Sequence, residues 1–107
     1  MPSIEQLERL LKVEPNDAFV LYGLAQEHAK AGNLDRAIEY YDRCIAVDAA
    51  YCYAYYHKAR VQERMGDAAG TATTLRAGLD AAKHARDQKA VSEIRQYLST
   101  LDERTRA

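Results

Sequence analysis

The stretch 21–45, LYGLAQEHAKAGNLDRAIEYYDRCI, decides the fold once it is laid over 55–79, YYHKARVQERMGDAAGTATTLRAGL. The offset is 34 residues. At that offset Gly32 falls on Gly66, Ala25 on Ala59 and Asn33 on Asp67, while Tyr41 falls on Leu75, Arg43 on Ala77 and Ile45 on Leu79. Identities are few, but they sit where a helical hairpin needs a small residue, a turn and a buried face. Self-similarity at a fixed period is read before local structure, because a unit that cannot bury its apolar face alone has to stack on its neighbours.

Each copy reads as two helices around a short turn. Ala18, Leu21, Leu24, Ala25 and His28 recur at three and four residues, which lines them along one helical stripe. Gly32 then stops the helix and Asn33 is expected to cap the next one. The second helix buries Leu34, Ala37, Ile38, Tyr41 and Ile45 by the same spacing. In the second copy the pattern recurs as Tyr55, Ala59 and Gln62, the break Met65-Gly66-Asp67, then Ala68, Ala72, Leu75 and Leu79. A turn this short makes the paired helices antiparallel.

These residues resemble the tetratricopeptide repeats, whose 34-residue unit carries W-x2-L-G-x2-Y, then A-x3-F, then P. Leu21, Leu24, Ala25 and His28 stand at the first marked positions and Ala37 and Tyr41 at the next two, with Ala49 in place of the proline. The second copy runs Tyr55, Lys58, Ala59 and Gln62, then Thr71 and Leu75, with Lys83 at the proline; Lys58 and Gln62 depart from the apolar consensus. One period earlier, Ser3, Leu7 and Pro15 match the second half of a unit, and the turn Glu14-Pro15-Asn16-Asp17 caps the next helix. Beyond the second copy, Val91, Ile94, Leu98 and Leu101 form one apolar stripe, with Glu93, Gln96, Asp102 and Glu103 elsewhere, as a solvating terminal helix requires. The resemblance implies an all-α chain, an α-α superhelix of antiparallel hairpins in a single domain over 1–107. It divides into a half repeat at 3–15, repeats at 18–51 and 52–85, and a capping helix at 88–103. Helices are expected at 3–13, 18–31, 34–47, 52–65, 68–84 and 88–103. A generic six-helix bundle is the alternative.

Composition narrows the chemistry. The chain has 107 residues, 48% of them hydrophobic, with eight Tyr, one Phe and no Trp, so it can bury a core. The 15 basic and 16 acidic side chains give a net charge of -1, which argues against a global nucleic-acid footprint. No run approaches the ~20 apolar residues that span a bilayer, so no membrane is expected and a cytoplasmic location is. Two Cys suggest free thiols in a reducing compartment. Cys44 and Cys52 lie eight apart with no CxxC, HxxxH or HExxH pair, so no metal is expected. Cys52 and His57, five apart on one helix, point to different sides and make no nucleophile pair. Gly66, Gly70 and Gly78 are too sparse for a phosphate-cradling loop. No catalytic residue and no cofactor is expected.

The resemblance implies a binding module, in which the first helices of successive repeats line a concave face that takes a peptide or helix of a partner. On the outward side of those helices stand Phe19, Tyr22, Gln26 and Lys30, then Tyr53, Tyr56, Arg60 and Arg64. Tyr and Arg are the residue types that most often carry interface energy. Whether Tyr53 and Tyr56 face a partner or pack on neighbouring helices is left open by the sequence. One subclass of the family clamps a C-terminal carboxylate with Lys and Asn, then Asn, then Lys and Arg. Tyr22 and Gln26, His57, and Asp87 and Val91 stand at those places, so that clamp is not expected. Residues 1–50 hold five basic and nine acidic side chains, and residues 51–107 ten and seven. With Arg60, Arg64 and Lys30 in the groove, the expected partner segment is acidic with an apolar anchor. The polar outer sides of the first and last helices favour a monomer; a self-associating structural protein is the alternative.

Overall fold

The structure, a computed structural model, describes residues 2–106, with side chains through residue 104. Among the described residues it is all-α, with helices α1 (Ile4–Val13), α2 (Ala18–Lys30), α3 (Leu34–Val47), α4 (Cys52–Arg64), α5 (Ala68–His84) and α6 (Gln88–Arg106). The expected boundaries agree to one residue, except that α6 runs three residues longer. No described helix is long and apolar enough to cross a membrane. The chain forms two compact units, Met1–Ala49 and Ala50–Ala107.

Three helix ends share one device. Ala31, Met65 and Ala85 close α2, α4 and α5 in right-handed conformation, and the next residue turns left-handed: Gly32 at φ 83°, Gly66 at 80° and Arg86 at 56°. The amide after that residue reaches back five positions, Asn33 to the His28 carbonyl at 2.9 Å, Asp67 to Gln62 at 2.9 Å and Asp87 to Ala82 at 3.0 Å. This satisfies carbonyls that the helix end would leave orphaned, and glycine is the residue that adopts the left-handed conformation without steric cost. Arg86 takes it with a Cβ, which costs ~1–2 kcal/mol.

Four of the six starts, those of α1, α2, α5 and α6, are capped by side chains. Ser3 and Gln6 exchange bonds in a capping box, Asp17 accepts from Val20 N at 3.2 Å, Asp67 from Gly70 N at 2.9 Å and Asp87 from Ala90 N at 3.0 Å. Asn33 is the exception to expectation. It precedes α3 but makes no side-chain cap; its Nδ2 lies 3.3 Å from Nδ1 of the buried His28. The buried imidazole nitrogen is the more costly group to leave unpaired, and the amide serves it.

Within Met1–Ala49, α2 packs on both α1 and α3. Leu7, Leu21, Leu24, Ala25, Ala37, Tyr41 and Cys44 are buried there. Cys44 donates its Sγ to the Ala18 carbonyl at 3.4 Å, and burial, with Asp48 nearby, pushes its thiol up to about 11. Within Ala50–Ala107, α5 packs on α4 and α6, and α4 touches α6. Cys52, Ala59, Leu75, Ala82, Ala90, Val91 and Ile94 form the core cluster, with Leu79, Leu98 and Leu101 against it. Tyr55 is buried, as its motif position implies. Lys58 and Gln62 are half-buried, and Gln62 Oε1 is enclosed with no hydrogen-bond partner among the described residues. The departure from consensus thus leaves a polar atom unsatisfied rather than opening the helix.

Helix α5 has 17 residues against 14 in α3, so a strict period fails after it. The caps before α2 and α4 are Asp17 and Tyr51, 34 apart, and the next would fall at 85; α6 starts from Asp87 instead. Asp87 and Val91 therefore do not occupy the first-helix places the period gave them, and Val91 is core. The places pass to Lys89 and Glu93.

Glycine replacements separate these effects. A Cβ on Gly78 would stand 2.6 Å from Tyr55 Cβ, whereas one on Gly23 would meet only Leu7 methyls at 3.6 Å. We expect Gly23→Ala to stabilise by about 0.5–1 kcal/mol through helix propensity. We expect Gly78→Ala to cost about 1–2 kcal/mol, because overpacking exceeds that gain. Arg86→Gly should gain about 0.5–1 kcal/mol by relieving the left-handed turn. Urea unfolding of the three variants checks the signs; equal signs for the two alanine variants would contradict the crossing geometry.

Candidate partner-binding groove

The sequence marks one face of α2 and one of α4, and the structure treats them differently. On α2, Phe19 is 73% exposed. Tyr22 is half-buried, edge-on to Tyr41 at 6.0 Å, and its hydroxyl accepts from Gln26 Nε2 at 3.1 Å. Lys30 pairs with Glu27 at 3.2 Å. These four side chains share a strip because they are spaced three, four and four apart.

On α4, Tyr53 and Tyr56 are half-buried, and both pack against the core cluster of their unit while keeping one side outward. Their rings meet edge to face at 6.2 Å, and Tyr56 meets Tyr97 of α6 at 5.5 Å. That geometry sets the positive edge of one ring on the negative face of the other. Between α4 and α6 runs a groove of about 540 Å³. Tyr56 and Arg60 line it from α4; Tyr53 and Arg64 do not. Arg60 is exposed.

The second wall was missed by sequence reading. It consists of Glu93, Gln96, Tyr97, Thr100 and Arg104 of α6, facing Glu63 beside Arg60. Glu63 brackets the two helices: one carboxylate oxygen accepts from the Tyr97 hydroxyl at 2.7 Å and the other pairs with Arg104. Burial, then this hydrogen bond, pushes the Tyr97 hydroxyl well above the usual tyrosine range. The bracket consumes Glu63 and Arg104 and leaves Arg60 and Gln96, whose side chains make no hydrogen bond among the described residues. A signal for this wall existed. Tyr97 is the one aromatic of the last helix and stands at the edge of its apolar stripe, three residues after Ile94 and four before Leu101.

Electrostatically the groove is balanced. Arg60 and Arg104 face Glu63 and Glu93, so it lacks the basic excess that composition suggested. His57 lies beside it, 5.3 Å from the Tyr56 ring, and its pKa is lowered by burial first and by Arg60 second, with Glu93 opposing. The folded state therefore prefers neutral His57. Its contribution to stability is full above the unfolded pKa of 6.5 and is lost as pH falls below it.

Comparison with known proteins agrees with this architecture. A family model for the tetratricopeptide repeat matches residues 20–51. A TPR repeat-containing protein of Pseudomonas aeruginosa is 30% identical over 99 residues, covering 92% of this chain and 94% of that protein. The solution structure of a tetratricopeptide repeat domain protein from Salinibacter ruber is 30% identical, with a TM-score of 0.79 over 84% of this chain and 91% of that one. The TPR2B domain of yeast Sti1, solved in complex with pHsp70, has a TM-score of 0.86 over 94% of this chain and 81% of that one, at 23% identity.

The titration of His57 gives a check. From pH 7.5 to 5.5, the stability of the native protein should fall more steeply than that of a His57→Gln variant. Denaturant unfolding across that range measures it, and parallel slopes would contradict the preference for the neutral ring.

Proposed function

The chain belongs to the tetratricopeptide repeat family, and from that premise we propose a non-catalytic protein–protein interaction module whose main site is the groove between α4 and α6. The strip Phe19, Tyr22, Gln26 and Lys30 on α2 is a second contact surface, and Tyr53 and Arg64 extend the first. One observation carries the reading. The groove sets two tyrosine edges beside a guanidinium and a carboxamide that have no hydrogen-bonding partner among the described residues. Those groups suit a polypeptide: rings take an apolar side chain, and Arg60 and Gln96 take the donors and acceptors of an extended backbone. The yeast Sti1 domain in complex with pHsp70 has this fold, which is consistent with a surface offered to a polypeptide.

The non-catalytic part rests on the thiols. Cys44 is buried with its pKa near 11, and Cys52 is buried with its Sγ on the Ala50 carbonyl at 3.3 Å. Both thiols are buried, so neither is offered to solvent as a nucleophile.

Peptides selected from a random library against the native protein test the site. Tyr56→Ala should weaken a selected peptide by about 30-fold and Arg60→Ala by about tenfold, the losses of central aromatic and arginine contacts. Calorimetry measures both, with circular dichroism confirming the helices. Unchanged affinity in both variants would move the site elsewhere.

A further inference from the structure

Away from that groove, the unit Met1–Ala49 holds a second concavity, a cleft of about 310 Å³ between α1 and α3. Its floor is apolar: Leu11 is half-buried, the Tyr40 ring is buried, and Pro15 closes one end. Its rim is basic, with Lys12, Arg36 and Arg43 against the single carboxylate of Glu8. Residues 1–50 hold five basic and nine acidic side chains. Three of those five cations and one of those nine anions line this cleft, so the segregation runs against the composition of the unit.

The cations are held in place without being neutralised. Arg36 and Arg43 stand four residues before and three after Tyr40, on one face of α3, and each guanidinium carbon lies 5.3 Å from the Tyr40 ring centroid. Behind the ring, His28 stacks at 5.4 Å with the planes 8° apart. Arg36 also pairs with Glu39 at 3.3 Å, but both side chains are half exposed, and such pairs contribute little. Arg43 and Lys12 make no ion pair or hydrogen bond among the described residues. Arg36 also donates Nη2 to the Tyr40 hydroxyl at 3.4 Å, whereas Arg43, held at the same ring, keeps its N–H donors for a carboxylate.

We propose that this cleft binds a short acidic segment of a protein partner. One or two carboxylates sit on Arg43, Lys12 and Arg36, and a neighbouring aliphatic side chain lies on the Leu11–Tyr40 floor. An acidic partner with an apolar anchor is what the sequence suggested for the faces of α2 and α4. Arg43 and Lys12, cations without an ion pair among the described residues, stand here instead, and the proposal does not depend on the α4–α6 groove. A polyanion such as RNA fits less well, because the nine acidic side chains of this half repel a long run of phosphates.

The probes are two blocked pentapeptides, ELEEL and its glutamine counterpart QLQQL, titrated into the full chain labelled with nitrogen-15. ELEEL should shift the amides of Lys12, Arg36, Tyr40 and Arg43. QLQQL should bind at least about tenfold more weakly, as should ELEEL to the Arg36→Gln, Arg43→Gln double variant. Lys12→Gln, which removes an exposed side chain with no partner to lose, should weaken ELEEL about threefold and guards against misfolding of the double variant. Shifts confined to α4 and α6, equal binding of QLQQL, undiminished binding to the Lys12 variant, or tighter binding of a ten-nucleotide single-stranded RNA would each overturn the proposal. Loss of the α4–α6 groove reading would leave these shifts as they are.

Discussion

The hairpins α2–α3, α4–α5 and α5–α6 each depend on one left-handed residue placed just past the C-cap of the first helix. With φ at 83° in Gly32 and 80° in Gly66, the chain leaves one helix and starts the next after a single further residue. The paired helices can then lie only antiparallel and in contact, and the apolar stripes of both must face one another. Because the turn also returns an amide to a carbonyl five residues back, the reversal strands no backbone groups. Arg86 does the same work at 56°, so the conformation is imposed by the packing of α5 on α6 and tolerated by the side chain rather than chosen by it.

The crossing between paired helices explains why the repeats look so unlike in sequence. At the 34-residue offset, Cys44 corresponds to Gly78 and Leu21 to Tyr55. The first unit places a leucine and a cysteine at these two positions, and the second a tyrosine and a glycine. What is retained is the combined volume across the crossing, with Gly78 close enough that a Cβ would collide with Tyr55. An earlier position in the same series, Leu10, is 52% exposed.

This is also what made most of the fold legible and part of the site illegible. Periodicity reports which residues face a helix partner, so six helices, their turns and the burial of Tyr55 and Ile94 could be read directly. Capping residues are ambiguous wherever a second polar group competes, and Asn33 serves His28 instead of the amides of α3. A fixed period assumes equal helix lengths, and the longer α5 shifts α6 by two residues. The α6 wall was hidden for a related reason: Glu93, Gln96 and Arg104 look like the polar exterior of a terminal helix, and only three-dimensional placement opposite Arg60 gives them a common groove. The Glu63 bracket joins residues 34 and 41 apart in sequence, a relation no local pattern encodes.

Charge follows the same logic of placement over composition. The net charge of -1 conceals an acidic first half and a basic second half, and simple summation would put an acidic partner on the basic half. The structure distributes it otherwise. In the basic half, Glu63 and Glu93 offset Arg60 and Arg104 within the groove, so that surface can select by shape and hydrogen bonding. In the acidic half, most carboxylates lie elsewhere, and Tyr40 gathers two guanidinium groups beside a third cation over an apolar floor. A field is set by which charges share a concavity with low-dielectric walls, not by the sum over the chain. The two surfaces therefore differ in kind: one is balanced, aromatic and braced by a carboxylate, the other is cationic and braced by a ring.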